Sequence, residues 1–170
     1  MADRLLLCSD LDRTLLPNGR WPESPEARPR LRAFAARPET ALAYVSGRHE
    51  ALLHAAIAEY DLPEPDFAIG DVGTTIYRIE DGRWTPWQAW HDHIAPDWAG
   101  HDRDAIAATL AVLPELTPQE PEKQNTFKCS WYAPTDTDRD ALLARVRDRL
   151  APLGIRASLI WSIDEAADTG

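Results

Sequence analysis

Residues 4–14 read RLLLCSDLDRT, and this stretch decides the fold. Leu5, Leu6 and Leu7 make a short apolar run too brief for a helix, so it reads as a buried strand. Asp10, Asp12 and Thr14 follow at once, and Pro17, Asn18 and Gly19 then mark a loop. Two carboxylates therefore stand at the C-terminal end of a strand. In open parallel sheets that end is where ligands bind.

The next segments repeat the pattern. Ser24 and Pro25 predict a helix start, with Ser as N-cap and Pro at the first helical position, running to about Ala36. Residues 41–45 (ALAYV) read as a second buried strand. Residues 48–60 have helical periodicity, and 66–70 (DFAIG) read as a third strand. Strand, helix, strand, helix, strand is the order of a parallel sheet covered by helices. The pattern then changes. Residues 74–79 alternate, and Asp81-Gly82 is a hairpin turn signal. Pro86 and Pro96 flank a Trp-rich irregular segment, 102–113 looks helical, 126–132 reads as a strand, 136–150 as a helix and 155–161 as a strand. The expected fold is α/β: a partial Rossmann-like parallel-sheet core over residues 1–76, an inserted α+β cap over 77–163, and the start of a return to the core over 164–170.

Composition narrows the function. Eighteen basic residues against 28 acidic ones give a net charge of −10, which argues against a general nucleic-acid or anionic-membrane binder. No apolar run approaches the ~20 residues of a membrane span. Cys8 and Cys129 have no zinc spacing, and a reducing cytoplasm is the expected compartment. Cys8, on the first strand, reads as a small buried hydrophobe.

Asp10 and Asp12 have an extended spacing that puts both side chains on one side. One carboxylate can attack a phosphoryl group, and the other can protonate the leaving oxygen and later deprotonate water. The second role needs a pKa above the usual ~3.9. Both also suit Mg²⁺, a hard cation that takes oxygen ligands. A plain turn is the competing reading, against which the position after a buried strand weighs. Val45-Ser46-Gly47-Arg48 ends the second strand with a hydroxyl, a glycine and a cation before a helix, which is phosphate-binding chemistry. A simple strand–helix turn with an exposed Arg competes with it. His91-Asp92-His93 lacks a ligand set for a transition metal, and most of the tryptophans read as packing.

SDLDRT (9–14) resembles the nucleophile motif of the haloacid dehalogenase superfamily of phosphatases, and VSGR (45–48) resembles its second motif. PDFAIGDVGTTIY (65–77) and EKQNTFKCSWY (122–132) are similar to passages of the sucrose-phosphate phosphatase branch. The resemblance implies Asp10 as nucleophile and Mg²⁺ ligand, and Asp12 as general acid/base with its carbonyl on the metal. It implies Thr14 orienting Asp12, Ser46 holding the phosphoryl group, and Gly47, Arg48, Gln124, Asn125 and Lys128 near the sugar. The implied substrate is a sugar phosphate, sucrose 6-phosphate first. Mannosyl-3-phosphoglycerate or another sugar phosphate, or a non-catalytic sugar-phosphate-binding or regulatory domain, are the alternatives. The superfamily's later Lys and Gly-Asp-x-x-x-Asp do not occur, so the sequence reads as part of a phosphatase whose isolated activity is open. Association with a sucrose-phosphate synthase, and self-association of an incomplete core, are the partner expectations.

Overall fold

The computed structural model describes residues 4–18 and 22–163. The expected return to the core at 164–170 lies outside the described residues. Three strands, β1 (Leu5–Asp10), β2 (Thr40–Val45) and β3 (Phe67–Gly70), run parallel, joined through α1 (Ala27–Ala35) and α2 (Glu50–Glu59). The hairpin β4 (Thr75–Glu80) and β5 (Arg83–Pro86) then adds to β3 antiparallel, giving one sheet in the order β1-β2-β3-β4-β5. Asp81 and Gly82, both at positive φ, make its tight turn.

The chain divides into two compact units, one up to Asp92 and one from His93. The sequence reading drew its line at 76/77, but the hairpin shares the sheet of the first unit. Leu11, Leu16, Leu42, Tyr44, Leu53 and Ala68 form the centre of that unit's core. Tyr44 is fully buried and its hydroxyl donates to the Pro63 carbonyl at 2.7 Å. Burial pushes the Tyr44 phenol up and raises that of Tyr77 to about 12.

In the second unit, α4 (Arg103–Leu110) and α5 (Arg139–Leu150) start at Asp102 and Asp138. Each carboxylate caps its helix by accepting a backbone N–H, from Ala105 and Ala141. Ile106, Leu110, Leu142, Val146 and Leu150 face one another, and Ile155 completes the cluster.

Several expectations need correction. Ser24 is not the N-cap. Its carbonyl accepts the Ala27 N–H in a turn, and the helix starts two residues later, after Glu26. The segment between Pro86 and Pro96 is a helix, α3 (Gln88–Ile94), so His91 and His93 at i, i+2 do not share a face. The strand foreseen at 126–132 shrinks to β7 (Trp131–Tyr132), which pairs with β6 (Thr117–Pro118). No ladder forms over 155–161. Ile155, Leu159 and Trp161 join the second core from a segment outside any helix or strand instead. Cys8 is exposed rather than buried, as are Leu5 and Leu6 on the same strand, which among the described residues pairs only with β2.

Candidate active site

Parallel pairing sets Asp10 opposite Val45, so the loop after β1 and the turn after β2 emerge together. Leu11 is the anchor of the first loop. Its side chain is fully buried and its carbonyl accepts the N–H groups of Thr14, Leu15 and Leu16 at 3.1, 3.0 and 2.8 Å. Arg13 takes a left-handed φ of 59°, and its N–H donates to Asn18 Oδ1 at 2.7 Å. The loop thus folds back on itself with Asp10 and Asp12 outside the core.

The two carboxylates have unlike partners. The Thr14 hydroxyl donates to Asp10 Oδ2 at 3.2 Å. The expectation that Thr14 orients Asp12 is therefore corrected: the folded-back loop brings Thr14 to Asp10. Asp12 is held by Arg48, whose Nε reaches Oδ2 at 3.0 Å and Nη2 reaches Oδ1 at 2.6 Å. Asn18 Nδ2 donates to Oδ1 as well, at 2.7 Å. The Arg48 fork, followed by the Asn18 amide, holds the Asp12 carboxyl below its ordinary value against the opposing effect of burial. This reverses the raised pKa that the general-acid role calls for. In this state Asp12 is an ionised carboxylate. Arg48 is correspondingly pushed further up, chiefly by Asp12.

Ser46 is buried, its N–H bonded to the Ile69 carbonyl on β3 at 2.9 Å. Its Oγ accepts the Arg48 N–H at 3.2 Å, which leaves the hydroxyl proton to donate elsewhere. Gly47 is exposed beside Val72. The structure brings Asp10, Asp12, Thr14, Ser46, Gly47 and Arg48 together at one end of the sheet. A cleft of about 440 Å³ between this loop and α1 includes Arg13, Thr14 and Arg28, but neither Asp10 nor Asp12 lines it.

Gln124, Asn125 and Lys128 belong to the second unit. Gln124 is a brace: Nε2 donates to the carbonyls of Gln119 and Ser130 at 3.0 and 2.8 Å, and Oε1 accepts the Ser130 N–H at 2.7 Å. Its carboxamide stabilises the loop that carries Asn125 and Lys128, which bridge to each other through their backbones.

For a hard cation, the oxygen donors that the resemblance implies would be the Asp10 carboxylate and the Asp12 main-chain carbonyl. Among the described residues no group of three or more His, Cys, Asp or Glu could hold a metal ion. Two oxygens fit Mg²⁺ as a partial set, since that ion keeps several waters and takes the rest from substrate phosphate. Sequence reasoning missed Asn18, Asp71 and Trp90. Asn18 reads only as a loop residue, Asp71 lies in the 65–77 passage but was given no role, and Trp90 carries no motif.

Known proteins are similar along nearly the whole chain. Residues 3–169 match the family model described as sucrose-6F-phosphate phosphohydrolase. A Nitrosococcus oceani protein described as a HAD-like hydrolase is 56% identical over 170 residues, covering 100% of this chain and 46% of that protein. The mannosylfructose-phosphate phosphatase of Agrobacterium fabrum is 29% identical, over 96% of this chain and 62% of its own length. Among solved structures, the sucrose-phosphatase of Synechocystis in complex with sucrose and phosphate superposes with a TM-score of 0.72 at 27% identity. That match covers 95% of this chain and 61% of the Synechocystis chain. The chain thus spans less than two thirds of the length of each. With the match running over nearly all of its residues, the chain belongs to the sucrose-6F-phosphate phosphohydrolase family.

Proposed function

We propose that this chain carries the nucleophile and the acid/base group of a Mg²⁺-dependent sugar-phosphate phosphatase whose substrate is sucrose 6-phosphate. The observation that carries the reading is the pairing of two unlike carboxylates, Asp10 on a neutral hydroxyl and Asp12 on the Arg48 guanidinium, at the C-terminal end of a parallel sheet. An Asp10 oxygen attacks phosphorus, the bond from phosphorus to the sugar oxygen breaks, and Asp12 delivers its proton to that oxygen. Asp12 then takes a proton from water. The water attacks the aspartyl-phosphate, releasing phosphate and restoring Asp10. For Asp12 to arrive protonated, Arg48 must leave it, and an anionic substrate beside Arg48 supplies the competing partner.

Ser46 would donate its free proton to a phosphoryl oxygen. Asp10 and the Asp12 carbonyl would hold Mg²⁺, whose charge would offset that of the phosphoryl oxygens. Asn125 and Lys128 would meet the sugar, with Gln124 bracing their loop. Two free cysteines suit the reducing cytoplasm in which such an enzyme would work.

The test is phosphate release from sucrose 6-phosphate with Mg²⁺ and with EDTA, with Asp10→Asn as the control. Release that needs both Mg²⁺ and Asp10 is expected; release that survives Asp10→Asn sinks the mechanism. The mannosylfructose-phosphate phosphatase likeness favours a second reading, another sugar phosphate, which a substrate panel separates. Binding of sugar phosphate without any release would mark a non-catalytic domain.

A further inference from the structure

We propose that the left-handed run Asp71–Val72–Gly73 is a positioning device that sets Arg48 on Asp12, and that Trp90 holds the run in place. This deepens the reading above and rests on it for its catalytic meaning. The run follows β3 directly, at the same end of the sheet as the carboxylates. Three successive residues have positive φ: Asp71 at 52°, Val72 at 59° and Gly73 at 91°. Only the last is a glycine. A β-branched residue in this region is a genuine outlier, and such conformations persist where the surroundings over-determine them.

The surroundings are on both sides of the run. The Asp71 N–H donates to the Arg48 carbonyl at 2.9 Å, so the run grips the backbone of the residue whose side chain holds Asp12. The preceding Gly70 lies so close that a Cβ there would stand 2.9 Å from that same carbonyl oxygen and 3.2 Å from Leu53 Cδ1. Asp71 itself is a buried carboxylate. Its Oδ2 accepts the Thr75 hydroxyl at 3.3 Å, and its carbonyl accepts the Thr74 hydroxyl at 3.0 Å. From the other side, the Trp90 indole Nε1 on α3 donates to the Gly73 carbonyl at 3.0 Å. Val72 Cγ2 faces Gly47, the residue between Ser46 and Arg48. A chain of close contacts therefore runs from α3 through the strained run to the backbone of the Ser46–Arg48 turn. An extended backbone at Val72 would turn the Gly73 carbonyl away from Trp90 and loosen the grip on Arg48.

The readout is the Arg48 Nε–H, which donates to Asp12 and gives its own signal in ¹⁵N NMR spectra of the full chain. Asp12→Asn sets the scale of lost protection from solvent exchange. Gly70→Ala pushes on the Arg48 carbonyl, Val72→Pro forbids the left-handed φ, and Trp90→Phe removes the indole donor while keeping a ring. Each should speed Arg48 Nε–H exchange, by about fivefold for the first two, the range that a partly exposed ion pair supplies. Val72→Gly keeps the left-handed backbone and should leave the exchange rate unchanged. Folded Gly70→Ala or Val72→Pro protein with wild-type Arg48 protection overturns the proposal. If neither variant folds, Trp90→Phe decides, and an unchanged rate there overturns it equally. Loss of protection in Val72→Gly as well would assign the effect to the valine side chain rather than to backbone geometry, and would also overturn it. No turnover enters this measurement. Phosphate release that survives Asp10→Asn would count against the phosphatase reading alone, and an unmoved Arg48 signal against the positioning role alone.

Discussion

The Asp12–Arg48 pair should show a coupling of about 1 kcal/mol at neutral pH, disappearing in acid. The side chains are 42% and 26% exposed, so solvent screens much of the attraction. Two unit charges about 4 Å apart interact by ~1 kcal/mol in water and ~4 kcal/mol at a dielectric near 20, before desolvation and side-chain ordering are subtracted. Exposed pairs measured by double-mutant cycles give about 0.2–1 kcal/mol. The two-pronged Arg48 contact at 3.0 and 2.6 Å places this pair at the top of that range. The folded-state pKa of Asp12 is lowered, with the Arg48 hydrogen bond as the largest cause. Its contribution is therefore fully present above the unfolded carboxyl value of ~3.9 and is lost as pH falls through the lower folded value. The assay is urea unfolding of wild type, Asp12→Ala, Arg48→Ala and the double variant, at pH 7 and stepwise downward. Asn18 still contacts Asp12 in Arg48→Ala, and the cycle removes that term if it is the same in both backgrounds. A coupling under about 0.3 kcal/mol at pH 7, within the error of such cycles, would refute the reasoning. So would a coupling that persists once Asp12 is protonated.

Other expectations follow from single contacts. Leu53→Ala empties a fully buried position under β3 and should cost about 2–5 kcal/mol by urea unfolding. Tyr44→Phe takes a donor from the part-buried Pro63 carbonyl and should cost about 1 kcal/mol in the same assay. The Glu115 carboxyl, held down to about 2 by Arg145, supports the second unit above the ordinary carboxylate range and loses that support as pH falls towards 2. Glu115→Gln should flatten the acid limb of stability against pH. Burial lifts the Cys129 thiol to about 11, so at pH 8 iodoacetamide should label the exposed Cys8 well before Cys129, as read by peptide mass spectrometry. Among the described residues β1 pairs on one side only and carries Leu5 and Leu6 at 45% and 63% exposure, so sedimentation of this chain should show association that grows with concentration. A monomer throughout would remove that expectation.

The elements legible in the sequence were those whose pattern has one physical cause. ALAYV is a short apolar run that a covered central strand accommodates, LLL is a strand as read but with Leu5 and Leu6 exposed rather than buried, and Asp81-Gly82 permits the positive φ angles its turn requires. The lost elements were those where pattern and pairing part company. Residues 126–132 alternate, but Gln124 ties up the backbone of Ser130, and Asn125 bridges to Lys128, leaving only Trp131 and Tyr132 for a ladder. Residues 155–161 are apolar enough for a strand, yet apolarity states that a segment is buried, not that a partner strand lies beside it. Helix α3 hid between two prolines that bound it rather than break it. At the site, the two turns that carry Asp10, Asp12, Ser46 and Arg48 were readable as neighbours because each follows a strand of one parallel sheet. The Asp71–Gly73 run was not, because neither an aspartate nor a valine announces a left-handed backbone.

That unannounced backbone bears on how two carboxylates two residues apart come to differ. Their sequence surroundings are nearly alike, and both stand on one loop anchored by Leu11. The difference comes from across the sheet, where the turn after β2 aims a guanidinium at Asp12 and leaves Asp10 with the Thr14 hydroxyl. A nucleophile next to a neutral donor keeps its charge concentrated and available for attack. A carboxylate gripped by a cation is a poor acid until the cation is drawn off. An anionic substrate is the agent suited to draw it off, because the guanidinium binds phosphate with the same fork that holds the carboxylate. On the proposed reading the acid would be armed only when the substrate is present, and the direction in which Arg48 points would be the quantity the surrounding fold has to control. In the proposed positioning role, the hydrogen bond from the Asp71 N–H to the Arg48 carbonyl would supply that control from a segment with no side chain in the chemistry.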